Sequence, residues 1–514
     1  MKYDCIVIGA GIGGLTCAAR FAKNGMKILL CEKFEHIGGT ASVFRREGYT
    51  FAAGPLSFSY PVYVASTLKE LGVKEEITFK RSHFQYKSGK IDLLLSLPFQ
   101  ELTDELKKYF PEEKKGIRSF FRLMKKIGKA QDKRWEWDYQ LLEGNKKNEA
   151  KKPYGNEVEK RLSVIKKYSR VGANKLADGF VKDEILENLL ANQSFEEGTM
   201  SASLAANMWD LMSETGIWYP DIGFEGIGKL FSKIISENGG EIRTFSPVSK
   251  IVVRNGKATG VELSGGEEIK SDIVISCLDH KLTFLQMIGE SFLPHDFVKW
   301  VRDLRDSGSV FCVYLGVDSS KVDLSALRAL HLFYRSSIAP VDLWGSGTFS
   351  KEFFTRREFE ICHWSGKDKS FAPERKDAII IRVNAPYEHF RKWKAMEGGR
   401  KEGYYEYKDK IIKYLIQAAE TILPGLSSSV EFSEASTPLT YETWGGGSEG
   451  ACAGWSWDES DEMGSELKCL IRTPVPNLYM VGYQAFSQLF MGGFATAMHS
   501  GNMVADMIVE EVNG

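Results

Sequence analysis

The sequence has almost no net charge. Its 67 Lys+Arg stand against 68 Asp+Glu, a formal net charge of -1, which argues against a general polyanion binder and leads us to expect no nucleic-acid partner. It has no uninterrupted apolar run of membrane-spanning length, since the most apolar stretch, Leu478 to Ala497, is broken by Gln484, Ser487, Gln488 and several glycines. It has no signal-peptide pattern: the apolar N-terminus lacks a basic n-region and a small-residue cleavage site and reads as mature protein. The eight cysteines form no CxxC. Scattered in a chain of 514 residues, they read as buried thiols in a reducing cytosol, not as a disulfide framework or a zinc site. There is no HExxH, no GxSxG and no metal-spaced His/Cys cluster, so no metal is expected. What is present is ordinary globular material, 43% hydrophobic, 12% aromatic and 26% charged, which excludes disordered and collagen-like chains. The length predicts two to four domain-sized units, or two domains with interleaved segments.

The first forty residues carry the most information. Tyr3 to Ile8 is a short apolar, β-branched run bounded by Gly9, the pattern of a fully buried strand. Gly9-Ala10-Gly11-Ile12-Gly13-Gly14 fits GxGxxG, and from Ile12 to Asn24 the pattern turns helical, with Gly25 as the stop. Lys27 to Cys31 is a second buried strand ending at Glu32. Strand, glycines, helix, strand and acid in this order predict a dinucleotide site. Gly9 permits the tight turn, Gly11 lets backbone approach a pyrophosphate, and Gly14 lets the helix lie close to the sheet. The helix N-terminus offers N–H groups and partial positive charge to the phosphates. Glu32 is placed for ribose hydroxyls, which favours FAD or NAD over NADP.

The residues that follow resemble the extended signature of the flavin amine oxidase and phytoene desaturase superfamily. After Glu32-Lys33 come Gly38-Gly39-Thr40 and then Gly48-Tyr49-Thr50-Phe51-Ala52-Ala53-Gly54-Pro55. In that superfamily the Gly-Gly pair packs by the pyrophosphate and ribityl chain, and the Gly-Pro brings backbone beside the flavin ring. Asn477 to Gly482, followed by Gly492-Gly493-Phe494-Ala495-Thr496-Ala497-Met498-His499-Ser500-Gly501 and then a helix bearing Met503, Val504, Met507 and Ile508, resembles its C-terminal FAD segment. Many members carry an acid directly after the strand glycine; here the residue is Tyr483, a departure that counts more against an amine oxidase than against a carotenoid-type enzyme. The amphipathic Gly226 to Glu237, stopped by Gly239-Gly240, leads into strand-like runs at Glu241–Thr244, Ser249–Arg254 and Ala258–Leu263, read as a small β-meander, and a return strand at Asp272–Ser276. In the family a backbone contact near Val248 holds the adenine. Taken together the motifs are similar to those of the phytoene desaturase, carotenoid isomerase and retinol saturase group of FAD proteins. Ala52 stands where many relatives have Asp.

The resemblance implies an α/β fold: a Rossmann-like FAD-binding domain of the glutathione reductase and amine oxidase type, built from discontinuous segments 1–72, 221–285 and 440–514, plus an α+β substrate domain from 73–220 and 286–439. It implies FAD as cofactor, held by Gly9, Gly11, Gly13, Gly14, Glu32, Lys33, Gly38, Gly39, Thr40, Gly54, Pro55, Val248, Gly482, Tyr483, Gly493, Phe494 and Ala497. The implied activity is desaturation, saturation or cis/trans isomerisation of carbon–carbon bonds in a long apolar polyene or isoprenoid lipid. Two alternatives stay open: a flavin amine oxidase, and a redox-inactive flavin-fold lipid-binding protein.

The substrate side is less defined. Between Lys107 and Arg170 there are 20 Lys+Arg against 9 Asp+Glu, a local net of +11, interleaved with Phe110, Phe120, Phe121, Met124, Ile127, Trp135, Trp137 and Tyr139. Basic residues with aromatics suit the anionic inner face of a membrane, at about 1 kcal/mol per charge; the competing reading is a solvated helix face. Phe353, Phe354, Phe359, Trp364, Tyr387, Phe390 and Trp393 are candidates for an apolar tunnel or for plain core. His499, Glu442 and Asp210 are the polar candidates, and the residues assign proton transfer to none of them. The electron partner is not legible.

Overall fold

The structure is a computed structural model describing residues 2–89, 91–133, 136, 155–193, 200–336, 351–452, 454–455, 470–486 and 491–513. Its first sheet has seven strands in the order β10-β2-β1-β13-β12-β11, with β19 also paired to β13. These are β1 (Lys2–Ile8), β2 (Ile28–Cys31), β10 (Glu241–Arg243), β11 (Val248–Arg254), β12 (Lys257–Leu263), β13 (Glu268–Ser276) and β19 (Leu478–Met480). β1 is apolar and buried from Cys5 to Ile8, the pattern of a strand covered on both faces. The first helix, Ile12–Lys23, is buried from Ile12 to Ala22 except at Arg20. The last helix, Gly492–Asn513, lies against it so closely that a Cβ on Gly501 would come 2.5 Å from the Gly13 carbonyl oxygen. This last helix begins at Gly492, so the Gly-Gly-Phe-Ala motif forms its first turn instead of a loop ahead of it.

Parallel register aligns the carboxyl ends of the strands. Ile8 pairs with Cys31 and Ser276, Ser276 pairs with Met480, and Arg243 pairs with Cys31. Five chain exits therefore share one edge, which is where an open parallel sheet places its ligand crevice. The expected three-run meander needs correction: Glu241–Arg243 lies outside it and extends the sheet beyond β2, in parallel. A strand reached through a helix, here Gly223–Glu237, returns parallel to its neighbour. β11 and β12 are joined by Asn255 (φ 51) and Gly256 (φ 72), a tight turn that makes them antiparallel.

The second sheet has the order β18-β14-β17-β16-β15-β7-β8: β7 (Phe84–Ser88), β8 (Ile91–Leu94), β14 (Ser309–Asp318), β15 (His331–Arg335), β16 (Phe359–His363), β17 (Lys376–Ala385) and β18 (Val430–Ser436). Strict alternation separates its faces. Phe311, Val313, Leu315, Phe359, Ile361, Ile379 and Ile381 form a core shared with Ile411 and Leu415 of helix Tyr404–Glu420. Cys312, Tyr314, Cys362, Ala378 and Ile380 join the core of the first sheet. Two small sheets lie between: hairpin β3 (Val43–Arg46) with β4 (Tyr49–Ala52), and β5 (Phe58–Ser59), β9 (Ile217–Pro220) and β6 (Phe79–Ser82). A Cβ on Gly316 would come 2.3 Å from the Tyr49 ring, so the missing side chain lets this ring lie flat on β14.

Helix Lys114–Gln131 resolves the basic, aromatic region in part. Phe120, Phe121, Met124 and Ile127 point inward to a core with Leu186, Leu189 and Trp209. Burial of each is worth about 1.5–3 kcal/mol, so these four are core residues and not membrane anchors. The opposite face is basic and exposed at Lys114, Lys115, Arg118, Arg122, Lys125, Lys126 and Lys129. Trp135, Trp137 and Tyr139 lie outside the described residues. Among the described residues no helix is long and apolar enough to cross a membrane, and the seven cysteines are free thiols.

Candidate functional site

A cavity of about 1340 Å³ follows the carboxyl edge of the first sheet and opens onto one face of the second. Sixteen of the seventeen residues expected at the cofactor line it; Gly14 does not. Gly9 (φ 92) makes the turn out of β1, and Gly11 and Gly13 carry the start of the first helix along the cavity wall. A Cβ on Gly13 would fall 2.5 Å from the Gly482 nitrogen, and one on Gly14 would fall 2.3 Å from the Gly9 carbonyl oxygen. Gly14 is thus a packing glycine that seats helix on sheet. Gly38, whose N–H donates to the Ala10 carbonyl at 2.8 Å, and Gly39 (φ 60) close over the loop. Gly54 and Pro55 lie beyond Thr40 on the same wall, and a Cβ on Gly54 would meet the Thr40 carbonyl at 2.7 Å.

The Glu32 carboxylate is held in place. Its Oε2 accepts from the Ala10 N–H at 2.8 Å and its Oε1 from the Phe34 N–H at 3.0 Å. Lys33 follows on the wall and donates to the Thr443 carbonyl at 3.2 Å; burial holds its ammonium below the usual lysine range. Val248 forms the wall beyond Glu32. On the far side, Gly482 (φ 96) donates its N–H to Ser500 Oγ at 2.6 Å. Tyr483, Gly493, Phe494 and Ala497 complete that side, and burial pushes the Tyr483 phenol up.

These residues fit FAD. The glycine turns present bare backbone to the cavity at Gly9, Gly11 and Gly13, and they pack so closely that a Cβ at Gly13 would strike Gly482 and one at Gly54 would strike Thr40. The first helix is capped by Gly11 without a side chain and has no acid in its first turn, leaving the partial positive charge of its N-terminus for a pyrophosphate. Glu32 and Val248 would hold the adenosine half. Gly54, Pro55 and the first turn of the last helix would flank the ring. The cavity exceeds the about 300–1,000 Å³ of a single small-ligand pocket, as a site for a dinucleotide requires.

The second sheet supplies a polar group that the sequence reading missed. His331 (β15), Glu360 (β16) and Arg382 (β17) line the cavity with Ser57, which follows Gly54-Pro55-Leu56. Register places Glu360 opposite Arg382 and His331 opposite Cys362. His331 Nδ1 lies 2.6 Å from Glu360 Oε1, and Glu360 Oε2 forms an ion pair with Arg382. Behind His331 stands Lys367, buried, with Nζ 2.9 Å from His331 Nε2, 3.1 Å from Ser57 Oγ and 3.0 Å from Ser82 Oγ. Burial, aided by the Lys367 charge, pulls the His331 imidazole down to about 4, so the ring is neutral near pH 7. Burial alone would raise the Glu360 carboxyl, but Arg382 and His331 outweigh it and hold it at about 2. Burial also lowers the Lys367 ammonium. One signal was available: Glu360 and Arg382 each interrupt an apolar strand, Phe359-Glu360-Ile361 and Ile379-Ile380-Ile381-Arg382-Val383.

Other candidates fall elsewhere. His499 is buried behind the cavity wall with Nδ1 3.0 Å from Tyr63 Oη. Glu442 accepts from Tyr387 and pairs with Lys394, and Asp210 accepts from Thr215; none of the three lines the cavity. Nor do the seven aromatics considered for a tunnel, which are core residues or pack against the core. The fold also gathers Asp279, His280 and Asp306, with ligand-capable atoms within 4.8 Å. There Lys281 already pairs with Asp306 at 2.6 Å, and Ser448 donates to Asp279 at 2.6 Å.

Comparison with known proteins agrees with this geometry. The profile of the family described as flavin containing amine oxidoreductase matches residues 12–350. The chain is 25% identical to all-trans-retinol 13,14-reductase of Danio rerio over 98% of this chain and 86% of that one. It is 27% identical to a chloroplastic prolycopene isomerase of Daucus carota, over 86% and 70%. Among solved structures it is similar to cyclohexylamine oxidase of Brevibacterium oxydans, with a TM-score of 0.62 at 14% identity over the full length of both chains.

Proposed function

The chain belongs to the flavin containing amine oxidoreductase family and is a FAD-dependent oxidoreductase; on that footing we propose that it acts on carbon–carbon bonds of a long apolar polyene. The observation that carries this reading is the charge on the substrate wall. Around His331 stand two cations, Lys367 and Arg382, and one carboxylate, Glu360, already engaged by His331 and Arg382. A protonated amine about 4 Å from the Arg382 guanidinium meets a repulsion of about 4 kcal/mol at an effective dielectric near 20, offset in part by Glu360, and Lys367 behind the wall adds to the repulsion at longer range. A neutral polyene meets none. The rest of the wall includes Phe44, Leu56, Leu278, Met287, Val310 and Phe494, apolar side chains that exclude water from a hydrocarbon chain. The names of the two curated relatives, a retinol reductase and a prolycopene isomerase, support the same class.

The division of labour follows from the walls. The glycine turns and Glu32 hold the cofactor, the apolar residues orient the polyene, and the polar group of the second sheet is placed to handle protons. Bound FAD supplies a two-electron donor or acceptor. We further read the exposed basic face of helix Lys114–Gln131 as a docking surface for anionic lipid, from which an insoluble substrate would be drawn.

The test starts with the visible spectrum of purified protein, followed without oxygen on addition of NADH or NADPH. The oxidised and reduced forms are then offered retinol, prolycopene or phytoene in detergent, and separately small primary amines. We expect a polyene product that differs by two hydrogens or by bond geometry, and no response to amines. Bleaching of the flavin by an amine with peroxide release, and no change in any polyene, would overturn the reading in favour of an amine oxidase.

A further inference from the structure

We infer that Ser57 and Lys367 form a proton relay at the cavity wall, held in place by His331, with Ser57 as the residue that exchanges the proton with the substrate and Lys367 as its reservoir. The inference rests on the polyene reading only for the identity of the carbon that receives or loses that proton.

The hydrogen-bond inventory leads to this arrangement. Glu360 is an ionised carboxylate 2.6 Å from His331 Nδ1, so Nδ1 carries the ring hydrogen and donates it. Nε2 of the neutral ring is then an acceptor with a single lone pair. Lys367 Nζ has three hydrogens and three partners: His331 Nε2 at 2.9 Å, Ser82 Oγ at 3.0 Å and Ser57 Oγ at 3.1 Å. The lone pair on Nε2 is thereby taken by lysine. Ser57 Oγ, although 3.0 Å from the same nitrogen, accepts from Lys367 and keeps its own hydrogen for another acceptor. Ser57 lines the cavity, two residues past the Gly54-Pro55 turn, so that hydrogen is available to a bound molecule.

A purely structural lysine would not be built this way. Among the described residues no carboxylate lies within ion-pair distance of Lys367. Its charge rests on three neutral acceptors and on the faces of Tyr219 and Trp364, 5.3 and 5.8 Å from the ring centroids. A buried charge without a counter-ion is costly, and such perturbed groups concentrate at functional sites. The remaining neighbours keep the relay directional. Cys362 Sγ, 4.0 Å from His331 Nε2, is held protonated by burial, its thiol pushed up to about 12. Arg382 cannot lose its proton, and Glu360 stays ionised.

The step balances in either direction. When a double bond is reduced, one carbon takes the electron pair together with one hydrogen from the flavin chemistry of the proposed function. The other carbon forms a C–H bond to the proton of Ser57 as the Oγ–H bond breaks. An N–H bond of Lys367 then breaks to restore the serine hydroxyl, leaving a neutral amine that water recharges when the product leaves. Oxidation runs the same transfers backwards, and isomerisation runs them both ways at one carbon.

The test uses the FAD-loaded protein and the variants Ser57→Ala, Ser57→Thr and Lys367→Met, each checked for bound flavin by its visible band and for polyene binding by quenching of protein fluorescence. We expect Ser57→Ala to keep flavin and polyene but to lose about 100-fold or more of turnover, the usual size of a general acid–base contribution. Ser57→Thr, which restores the hydroxyl, should recover most of it. An assay that needs no substrate accompanies this: NMR titration of lysines labelled at Cε. One resonance should titrate below the others and be missing from Lys367→Met. Turnover of Ser57→Ala within about three-fold of the parent, equal loss in Ser57→Ala and Ser57→Thr, or titration of Lys367 among the surface lysines would each overturn the relay. If the parent protein changes no polyene, the polyene reading fails, and the lysine titration still decides whether the reservoir exists.

Discussion

His331 Nδ1 and Glu360 Oε1 stand 2.6 Å apart on neighbouring strands, both side chains almost wholly shielded from solvent. The imidazole sits at about 4 in the folded protein, against about 6.5 in an unfolded chain. A group depressed in this way stabilises the fold above its unfolded pKa, and that contribution is lost as pH falls through the folded value. The window is therefore about pH 6.5 down to 4, with at most about 3 kcal/mol at stake. Glu360, held at about 2, extends the acid loss below pH 4.5. Asp306, raised by burial to about 6, acts in the opposite sense and blunts the upper part of the slope. Thermal unfolding at pH 7, 5.5 and 4.5 should show a falling Tm in the parent and a shallower fall in His331→Gln. Parallel slopes in the two proteins would remove His331 as the cause.

Glycines that look alike in the sequence should behave differently. In Gly13→Ala the new methyl would lie 2.5 Å from the Gly482 nitrogen, and in Gly14→Ala 2.3 Å from the Gly9 oxygen. Overpacking of this kind costs about 1–3 kcal/mol. Gly13→Ala should lose bound FAD as well as stability, because Gly13 also lines the cavity. Gly14→Ala should lose stability first. Gly265→Ala, which meets nothing within 4 Å, is the control and should change neither flavin content nor Tm.

Glu32 is expected to matter through the cofactor more than through the fold. Its carboxylate orders the Ala10 and Phe34 amides and remains on the cavity wall for ribose hydroxyls. A hydrogen bond to a charged group contributes about 1.5–3 kcal/mol, so Glu32→Ala should weaken FAD binding by about 10- to 100-fold. Equilibrium dialysis of the flavin-stripped protein against FAD measures this, and an unchanged Kd would place the ribose elsewhere.

The basic face of helix Lys114–Gln131 can be reversed without touching its core, because Arg122, Lys125 and Lys126 are exposed while Phe121 and Met124 point inward. The triple variant Arg122→Glu, Lys125→Glu, Lys126→Glu should keep its Tm. It should lose flotation with vesicles containing phosphatidylserine, at about 1 kcal/mol per removed charge. Equal flotation of parent and variant would leave the face as solvated surface.

The legible parts of the site were the local ones. Strand, glycine turn, helix, strand and acid all lie between Tyr3 and Glu32, and each is dictated by short-range pattern, so the cofactor cradle could be read residue by residue. The last helix was read one motif too late because Gly492 and Gly493 are poor helix formers in isolation, yet the helix starts at Gly492, beside Ser59. The polar group of the substrate wall was not legible. Ser57, His331, Glu360, Lys367 and Arg382 come from separate strands and loops, and only sheet register brings them together. Glu360 and Arg382 inside apolar strands were the visible clue. The aromatics from Phe353 to Trp393 left tunnel and core both open, since composition does not distinguish a ring facing a cavity from one facing a core, and the structure puts them in or against the core.

The alignment of Ile8, Ser276 and Met480 on adjacent parallel strands sets a schedule for the nascent chain. β1 and β2 leave the ribosome long before the strand and helix that finish the cradle. At about 5–20 residues per second, the interval from Cys31 to Leu478 is roughly 20–90 s. Throughout it the first helix has no Gly501 to close against, and its apolar surface stays uncovered on that side. Flavin capture must therefore wait for that helix, and a variant lacking it should yield a chain dependent on chaperones instead of a shortened enzyme.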